Sequence, residues 1–171
     1  MSTSIEARGN RGQVAKSSIS LGDAAPDFTL PDQEHQLFHL ADHIGQSEIV
    51  LYFYPRDFTQ GCTKEACAFR DQYESFADRG AKVIGVSGDT VASHNYFASR
   101  YKLPFTLLAD IDGAVRNLYG VHKVLGLLAG RVTFVIDRGG IVRHMFNSQA
   151  NIDGHITKAL QVLDEIKEES R

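Results

Sequence analysis

Apolar residues recur along this chain in runs and stripes that predict strands and helices in alternation. Residues 48–55, EIVLYFYP, are almost continuously apolar and rich in β-branched and aromatic side chains, which is typical of a central strand buried on both faces. Residues 82–89, KVIGVSGD, predict a second buried strand. Between the two, three- and four-residue spacing predicts a helix from Cys62 to about Asp78, with an apolar stripe of Cys62, Ala66, Phe69, Tyr73 and Phe76.

The rest of the chain continues this alternation. Shorter patterns predict strands at 27–30, 36–40 and 106–109, and helices near 91–101 and at 114–119. Residues 131–146 alternate around the turn DRGG, which is typical of a β-hairpin. A closing helix over 151–167 has one apolar stripe of Ile152, Ile156, Leu160, Leu163 and Ile166. The sequence therefore predicts an α/β sandwich with a mixed sheet.

The composition narrows the class of protein. The chain has 171 residues, of which 43% are hydrophobic and 23% charged, as in an ordinary globular domain. We expect a polar tail over 1–20 and one domain over 21–171. The net charge of −3 offers no attraction for nucleic acid or an anionic membrane, and no apolar run has the length of a membrane span. The first twenty residues lack the apolar core of a secretory signal. Their Arg and Ser content resembles that of a transit peptide, but Glu6 and the absence of an apolar face count against one, so we expect a cytoplasmic protein.

The only two cysteines, Cys62 and Cys67, lie five positions apart at the predicted junction of strand and helix. Backbone N–H groups and the dipole at a first helical turn favour thiolate over thiol, so we expect an ionised, exposed Cys62 sulfur. An ideal helix turns Cys67 about 140° away and separates the two Cα atoms by about 8.6 Å. A disulfide needs Cα atoms within about 7 Å. The pair can therefore join only after the helix unwinds locally.

Peroxide reduction is the chemistry that suits such a pair. A thiolate attacks the O–O bond and becomes a sulfenic acid, which a second thiol converts to a disulfide. Residues 55–62, PRDFTQGC, match the peroxiredoxin signature Pro-x-x-x-Thr-x-x-Cys. The second cysteine five residues later resembles the peroxiredoxin Q subfamily, also called bacterioferritin comigratory protein. The resemblance runs from about Leu21 to the end and includes the stretches GDAAPDFTLPD, VIGVSGD, PFTLLAD and GRVTFVID.

This resemblance implies a thioredoxin-like fold and a role for each matching residue. Cys62 would be the peroxidatic cysteine and Cys67 the resolving one, joined by a disulfide after oxidation. Thr59 would hydrogen-bond the thiolate and the incoming peroxide, and Pro55 would shield the sulfur from solvent. Arg131 would stabilise the thiolate and orient the peroxide.

The resemblance also implies the substrates and partners. Hydrogen peroxide and small organic hydroperoxides would be reduced without a metal, haem or flavin. Thioredoxin or a similar dithiol protein would return the electrons, and the subfamily suggests a monomer. Phe58 departs from the usual family pattern and would make the pocket mouth more apolar. The apolar segment 124–130, VLGLLAG, would serve as a collar for an alkyl peroxide or as a docking patch for a reductant.

Other interpretations remain open at this point. Cys67 would also pack well as an ordinary helix-interior residue, Arg131 would serve as an edge charge, and Thr59 as a turn or capping residue. A general thiol–disulfide oxidoreductase and a redox sensor are the rival functions, although the first normally has a CxxC motif, which this sequence lacks. The histidines do not indicate a metal site. His35, His39 and His43 recur at every fourth position, but their surroundings predict a strand, and the others are dispersed: His94, His122, His144 and His155.

Overall fold

The structure is a computed structural model that describes residues 19–123 and 130–171. Its strands are β1 (Thr29–Pro31), β2 (Leu37–His39), β3 (Glu48–Phe53), β4 (Ala81–Ser87), β5 (Thr106–Ala109), β6 (Val132–Ile136) and β7 (Val142–Asn147). Its helices are α1 (Gln60–Asp71), α2 (Tyr73–Asp78), α3 (Val91–Tyr101), α4 (Ala114–Leu118) and α5 (Ile152–Glu169). Residues 1–18 of the predicted tail and residues 124–129 of the apolar segment lie outside the described residues, so the division at residue 20 stays a prediction.

A five-stranded sheet of order β5-β4-β3-β6-β7 forms the centre of the fold. β3 pairs parallel with β4 and antiparallel with β6, so the sheet is mixed. β1 and β2 form a separate antiparallel hairpin. The predicted α/β architecture is therefore confirmed. None of the described helices is both long and apolar enough to cross a membrane.

The apolar run in β3 supplies both faces of the sheet. Successive side chains of a strand point to opposite faces. Val50, Tyr52 and Tyr54 accordingly pack into a core with residues of α1, α2, α3 and α5. Ile49, Leu51 and Phe53 pack on the other face with the hairpin and α4, as part of a second buried cluster. The strand is thus covered on both sides, as its composition predicts.

The helix that follows β3 differs from its prediction. It begins at Gln60, which makes Cys62 the third helical residue, and it ends at Asp71. Gln72 leaves the helical region with φ −102° and ψ 11°, and α2 begins after it. Phe69 and Phe76 still meet in one core, with ring centroids 5.6 Å apart. The apolar spacing therefore predicted the buried face but not the break.

Gly85 in β4 lies where another side chain crosses the strand. A Cβ at this position would lie 2.8 Å from the Leu107 side chain and 2.9 Å from the ring of Tyr52. Glycine in the interior of a strand marks such a close approach. Gly85, the first glycine of the VIGVSGD stretch, thus makes room for Tyr52. The Tyr52 ring stacks on Phe69 of α1 with centroids 4.5 Å apart.

Phe69 is the aromatic anchor of α1, because its side chain is fully buried between β3 and α2. We expect Phe69→Ala to lower the free energy of unfolding of the reduced protein by about 3–5 kcal/mol, since the smaller side chain leaves a cavity. Urea denaturation followed by circular dichroism measures this. Leu37→Ala is the control, because Leu37 is 75% exposed and its truncation should change stability by no more than about 0.5 kcal/mol. Equal losses in the two variants would contradict this assignment.

Candidate active site

The loop between β3 and α1 brings Cys62 beneath a buried arginine. Arg131, which directly precedes β6, donates a hydrogen bond from Nη2 to Cys62 Sγ at 3.4 Å. The two residues are 69 positions apart in the sequence, and the antiparallel pairing of β3 with β6 brings them together. Gly61 permits this approach, since a Cβ there would lie 3.0 Å from Arg131 Nη2. The contact places a positive charge directly against the sulfur.

The sulfur is less accessible than the sequence suggests. Cys62 is only 1% exposed, so the expectation of an exposed sulfur at the first turn is wrong. The reason is that the apolar face of α1 turns this residue toward the sheet, where it joins the core cluster that also contains Ala66 and Phe69. A buried thiolate depends more strongly on a nearby cation than an exposed one, because the surrounding dielectric is low.

Glu65 shares the same guanidinium. Arg131 Nη1 donates to Glu65 Oε1 at 2.8 Å, and the Glu65 carboxyl is fully buried. Burial raises the pKa of Glu65 to about 7, although the charge and the hydrogen bond of Arg131 oppose this rise. Burial also acts on Arg131 by lowering its pKa, but Glu65 and Cys62 outweigh that effect and the net direction is upward. One cation therefore serves two groups that can both carry negative charge.

His155 of α5 lies on the far side of Glu65. Its Nδ1 atom is 3.6 Å from Glu65 Oε2, and that oxygen has no hydrogen-bond partner among the described residues. The ring is already engaged: Nε2 donates to the Ser148 carbonyl at 2.8 Å, and Nδ1 accepts from the Thr133 hydroxyl at 2.7 Å. Burial lowers the pKa of His155 to about 4, and Arg131 acts in the same direction against the raising effect of Ser148. The ring is therefore neutral at neutral pH.

The other predicted site residues lie within seven positions of Cys62 in the sequence, and the contacts recorded for them are not with its sulfur. Thr59 is the N-cap of α1, and its hydroxyl donates to the Arg56 carbonyl at 2.9 Å. Its predicted hydrogen bond to the sulfur or to a peroxide stays a prediction. Pro55 is half-buried just beyond the end of β3. Cys67 is half-buried within α1, and both cysteines are free.

Phe58 has the backbone strain that is common in functional loops. Its φ of 64° lies in the left-handed region, which a bulky residue rarely adopts. The side chain is 42% exposed and packs against α3, with its ring centroid 5.0 Å from Phe97 and 5.3 Å from Tyr96. Its influence on the choice of peroxide stays a prediction.

Comparison with known proteins places this geometry in a family. Residues 21–145 match the AhpC/TSA family. Peroxiredoxin Q of Oryza sativa subsp. japonica, named as chloroplastic, is 47% identical over 157 residues, which cover 91% of this chain and 72% of the relative. The chloroplastic peroxiredoxin Q of Arabidopsis thaliana is 50% identical over 146 residues, which cover 85% of this chain and 67% of the relative. The chain belongs to the peroxiredoxin Q group of this family.

Solved structures agree with that assignment. The peroxidoxin BcpB of Mycobacterium tuberculosis superposes with a TM-score of 0.79 at 40% identity, over 85% of this chain and 97% of the other. The bacterioferritin comigratory protein of Xanthomonas campestris, whose structure was solved to study alkyl peroxide reduction, gives a TM-score of 0.76 at 30% identity, over 88% and 98% of the two chains. The predicted thioredoxin-like fold is confirmed, and the protein is a thiol-dependent peroxidase that acts on peroxides with a thioredoxin-like reductant.

The predicted cellular location is contradicted by these relatives. The sequence led us to expect a cytoplasmic protein, because the first twenty residues lack the core of a secretory signal. The plant relatives are instead named as chloroplastic proteins. Transit peptides have no continuous apolar core and are rich in Arg and Ser, so the Arg and Ser content of these residues was the informative feature and Glu6 was a weak argument against it.

Arg116 of α4 is a residue that the sequence analysis missed. Its buried guanidinium donates to the Gly130 carbonyl at 2.9 Å and to the Tyr54 carbonyl at 2.8 Å. These two residues directly precede Arg131 and Pro55 in the chain. Burial lowers the pKa of Arg116, while Asp110 and Cys62 act in the opposite direction. One side chain thus joins the two segments that carry the peroxiredoxin site, although nothing local in the sequence AVRNL indicates such partners.

A second missed group anchors the loop between β3 and α1. Asp57 accepts hydrogen bonds from the Tyr54 hydroxyl at 2.6 Å, from the Ser93 hydroxyl at 2.8 Å and from His94 Nδ1 at 2.8 Å. His94 Nε2 lies 3.0 Å from the Leu108 carbonyl. Together with Asp89, Asp57 and His94 have the spacing of metal ligands, but these hydrogen bonds already use the nitrogen and both oxygens of the buried pair. We interpret the group as an anchor for the loop.

Arg116 should act by positioning, because it touches only backbone carbonyls in the site. We expect Arg116→Met to lower kcat/KM for hydrogen peroxide by roughly tenfold or more, since small displacements of reacting groups have effects of that size. Arg116→Lys keeps the charge but not the two-pronged geometry, and should recover only part of the loss. Peroxide consumption under steady-state conditions measures both variants.

The control for this test is Arg138→Met, which removes an exposed arginine paired with Glu48 at the far end of the sheet. Its kcat/KM should remain that of the wild type. Wild-type kcat/KM in a folded Arg116→Met protein would show that the two carbonyls need no anchor.

Proposed function

We propose that Cys62 is the peroxidatic cysteine and that Cys67 resolves its sulfenic acid. The hydrogen bond of 3.4 Å from Arg131 to the Cys62 sulfur supports this assignment most strongly. Between the two cysteines, Cys62 is the one that receives such a charge-assisted contact. Cys67 follows five positions later in the same helix, which suits a second thiol that is kept apart in the reduced state.

The first chemical step is attack on the peroxide. The Cys62 thiolate attacks the terminal oxygen of ROOH, so that an S–O bond forms while the O–O bond breaks. The sulfur is oxidised to sulfenic acid, and the peroxide leaves as an alkoxide that takes up a proton to give ROH. Arg131 assists because its guanidinium already faces the sulfur and is charged throughout the physiological range. Thr59, one turn before Cys62, hydrogen-bonds the peroxide, and Pro55 limits water around the reacting atoms.

The second step joins the two cysteines. The Cys67 thiol attacks the sulfenic sulfur of Cys62, an S–S bond forms, and the oxygen leaves as water. This requires the first turns of α1 to unwind, because an intact helix holds the two residues too far apart. A thioredoxin-like dithiol then reduces the disulfide by exchange and returns both thiols.

Further properties are proposed on the same basis. Since both cysteines lie in one chain, the cycle needs no second subunit, and we propose a monomer that acts away from membranes and nucleic acid. The relatives' names support a plastid location. Residues 21–171 form the catalytic domain, which agrees with a family match that begins at residue 21.

Replacing each cysteine separates the two roles. We expect Cys62→Ser to abolish peroxide consumption with a thioredoxin system, because the serine hydroxyl is a far weaker nucleophile. Cys67→Ser should show one fast oxidation per chain and then little thioredoxin-supported turnover, with easier over-oxidation to sulfinic acid. Peroxide consumption with excess reductant, and mass spectrometry of the chain, distinguish the outcomes.

Two results would contradict the assignment. Retention of a tenth of wild-type turnover in Cys62→Ser would remove Cys62 from the attacking role. Undiminished turnover in Cys67→Ser would show that an external thiol resolves the sulfenic acid. A single stoichiometric oxidation of the wild type, without turnover, would instead favour a redox sensor.

A further inference from the structure

Glu65 lies between the two cysteines in a place where a carboxyl group is rarely found. It follows Cys62 by three positions and precedes Cys67 by two, so it belongs to the segment that must unwind. Its side chain is fully buried, and Oε2 has no hydrogen-bond partner among the described residues. A buried carboxylate with an unsatisfied oxygen is unfavourable compared with the same group in water. When α1 unwinds, the Glu65 carboxyl group leaves this buried site and reaches solvent.

The groups that face Glu65 come from several elements. Arg131, before β6, donates to Oε1 at 2.8 Å, and the neutral ring of His155 in α5 stands 3.6 Å from Oε2. Tyr52 of β3 interacts with Glu65 electrostatically, and its own hydroxyl is buried without a partner within the described part of the chain. Cys62, on the same helix, shares Arg131 with Glu65. Arg131 is thus the only cation in contact with either potential anion among these groups.

The charge of Cys62 changes during the cycle, and this changes the demand on Arg131. In the reduced protein a thiolate at Cys62 and a carboxylate at Glu65 would compete for one guanidinium, which favours a protonated Glu65. Oxidation to sulfenic acid removes the negative charge from the sulfur. Glu65 then has Arg131 to itself, but the closed pocket still leaves one of its oxygens unsatisfied, whereas water satisfies both oxygens once α1 unwinds.

We propose that Glu65 is a positioning residue that sets how readily α1 unwinds for the resolving step, by favouring the closed helix while it is protonated and favouring the unwound segment, where water solvates both of its oxygens, once it ionises. This inference rests on the proposed Cys62–Cys67 disulfide. Its effect falls on the resolving step, in which the S–S bond forms and water leaves, and not on the attack of the thiolate on peroxide.

The pH dependence follows from the two states of Glu65. In the closed helix its pKa is raised from the ordinary 4.5 to about 7 by burial, whereas in the unwound segment it returns to the ordinary value. Below both values Glu65 is protonated in either state and does not influence the equilibrium. As the pH rises from the lower pKa to the higher one, the equilibrium shifts toward the unwound segment. Above the higher pKa this shift levels off. From pH 5 to pH 7 this raises the unwound fraction roughly 40-fold.

The test measures disulfide formation separately from oxidation. Reduced protein is mixed with one equivalent of hydrogen peroxide from pH 5 to pH 9, quenched with acid, alkylated and weighed by mass spectrometry. Wild type is compared with Glu65→Gln, which keeps shape and removes the titration. Asp71→Asn is the matched control, because it makes the same carboxyl-to-amide change at an exposed position of α1. Any other pH dependence of the thiol chemistry is common to all three proteins and cancels in the ratio.

We expect the ratio of wild-type to Glu65→Gln rates of disulfide formation to rise roughly 40-fold from pH 5 to pH 7. Asp71→Asn should follow the wild type. A constant ratio would overturn the role of Glu65 while leaving the proposed function intact. Absence of the Cys62–Cys67 disulfide at every pH would instead overturn the proposed function itself.

A second measurement covers the case in which Glu65→Gln does not fold. In Cys62→Ser protein, where a neutral oxygen replaces the sulfur, the assigned side-chain carboxyl carbon of Glu65 is titrated by NMR. We expect a midpoint near 7. A midpoint near the ordinary value would overturn the proposal, because the closed helix would then hold the carboxylate as readily as water does.

Discussion

An α-helix of ordinary geometry keeps residues five positions apart too distant for a disulfide, and the rest of this structure depends on that constraint. Cys62 and Cys67 both lie in α1, and both are free. A Cys62–Cys67 disulfide would therefore need a conformation of this segment that differs from the one in the reduced protein. In the proposed cycle, α1 must be stable enough to hold Cys62 against Arg131 and yet able to open.

Packing and electrostatics act on α1 in opposite directions. Phe69 and Ala66 stabilise the closed helix, because both are buried in the core beneath it. Glu65 on the same face weakens the closed helix whenever its carboxyl group is ionised, since burial without full hydrogen bonding is unfavourable. In the proposed cycle, the balance between these apolar contacts and one buried carboxyl group sets how readily α1 opens.

Sequence patterns predicted the architecture well because they are local. The continuous apolar run of β3 and the stripe from Cys62 to Phe76 report burial directly, and both are confirmed by the structure. The approach of Arg131 to Cys62 came only from the family resemblance, since no periodicity connects residues 69 positions apart. The break at Gln72 was missed because the apolar spacing continues across it.

The buried polar groups were the least predictable part of the site. Arg116 and His94 resemble surface residues in the sequence, and their partners lie 14 to 62 positions away. Glu65 did have a local signal that was overlooked: it stands three positions after Cys62 and four before Phe69, which places it on the apolar stripe of α1. A charged residue within such an apolar stripe indicates a buried ionisable group.

The most direct test of the central claim is hydrogen exchange on matched reduced and oxidised protein, with the Cys62–Cys67 disulfide confirmed by mass. Local opening exposes backbone amides, so the segment that unwinds loses its protection. We expect faster exchange across residues 60–72 in the oxidised protein and little change in α5. Identical protection of residues 60–72 in the two states would contradict the claim that α1 opens to join its two cysteines.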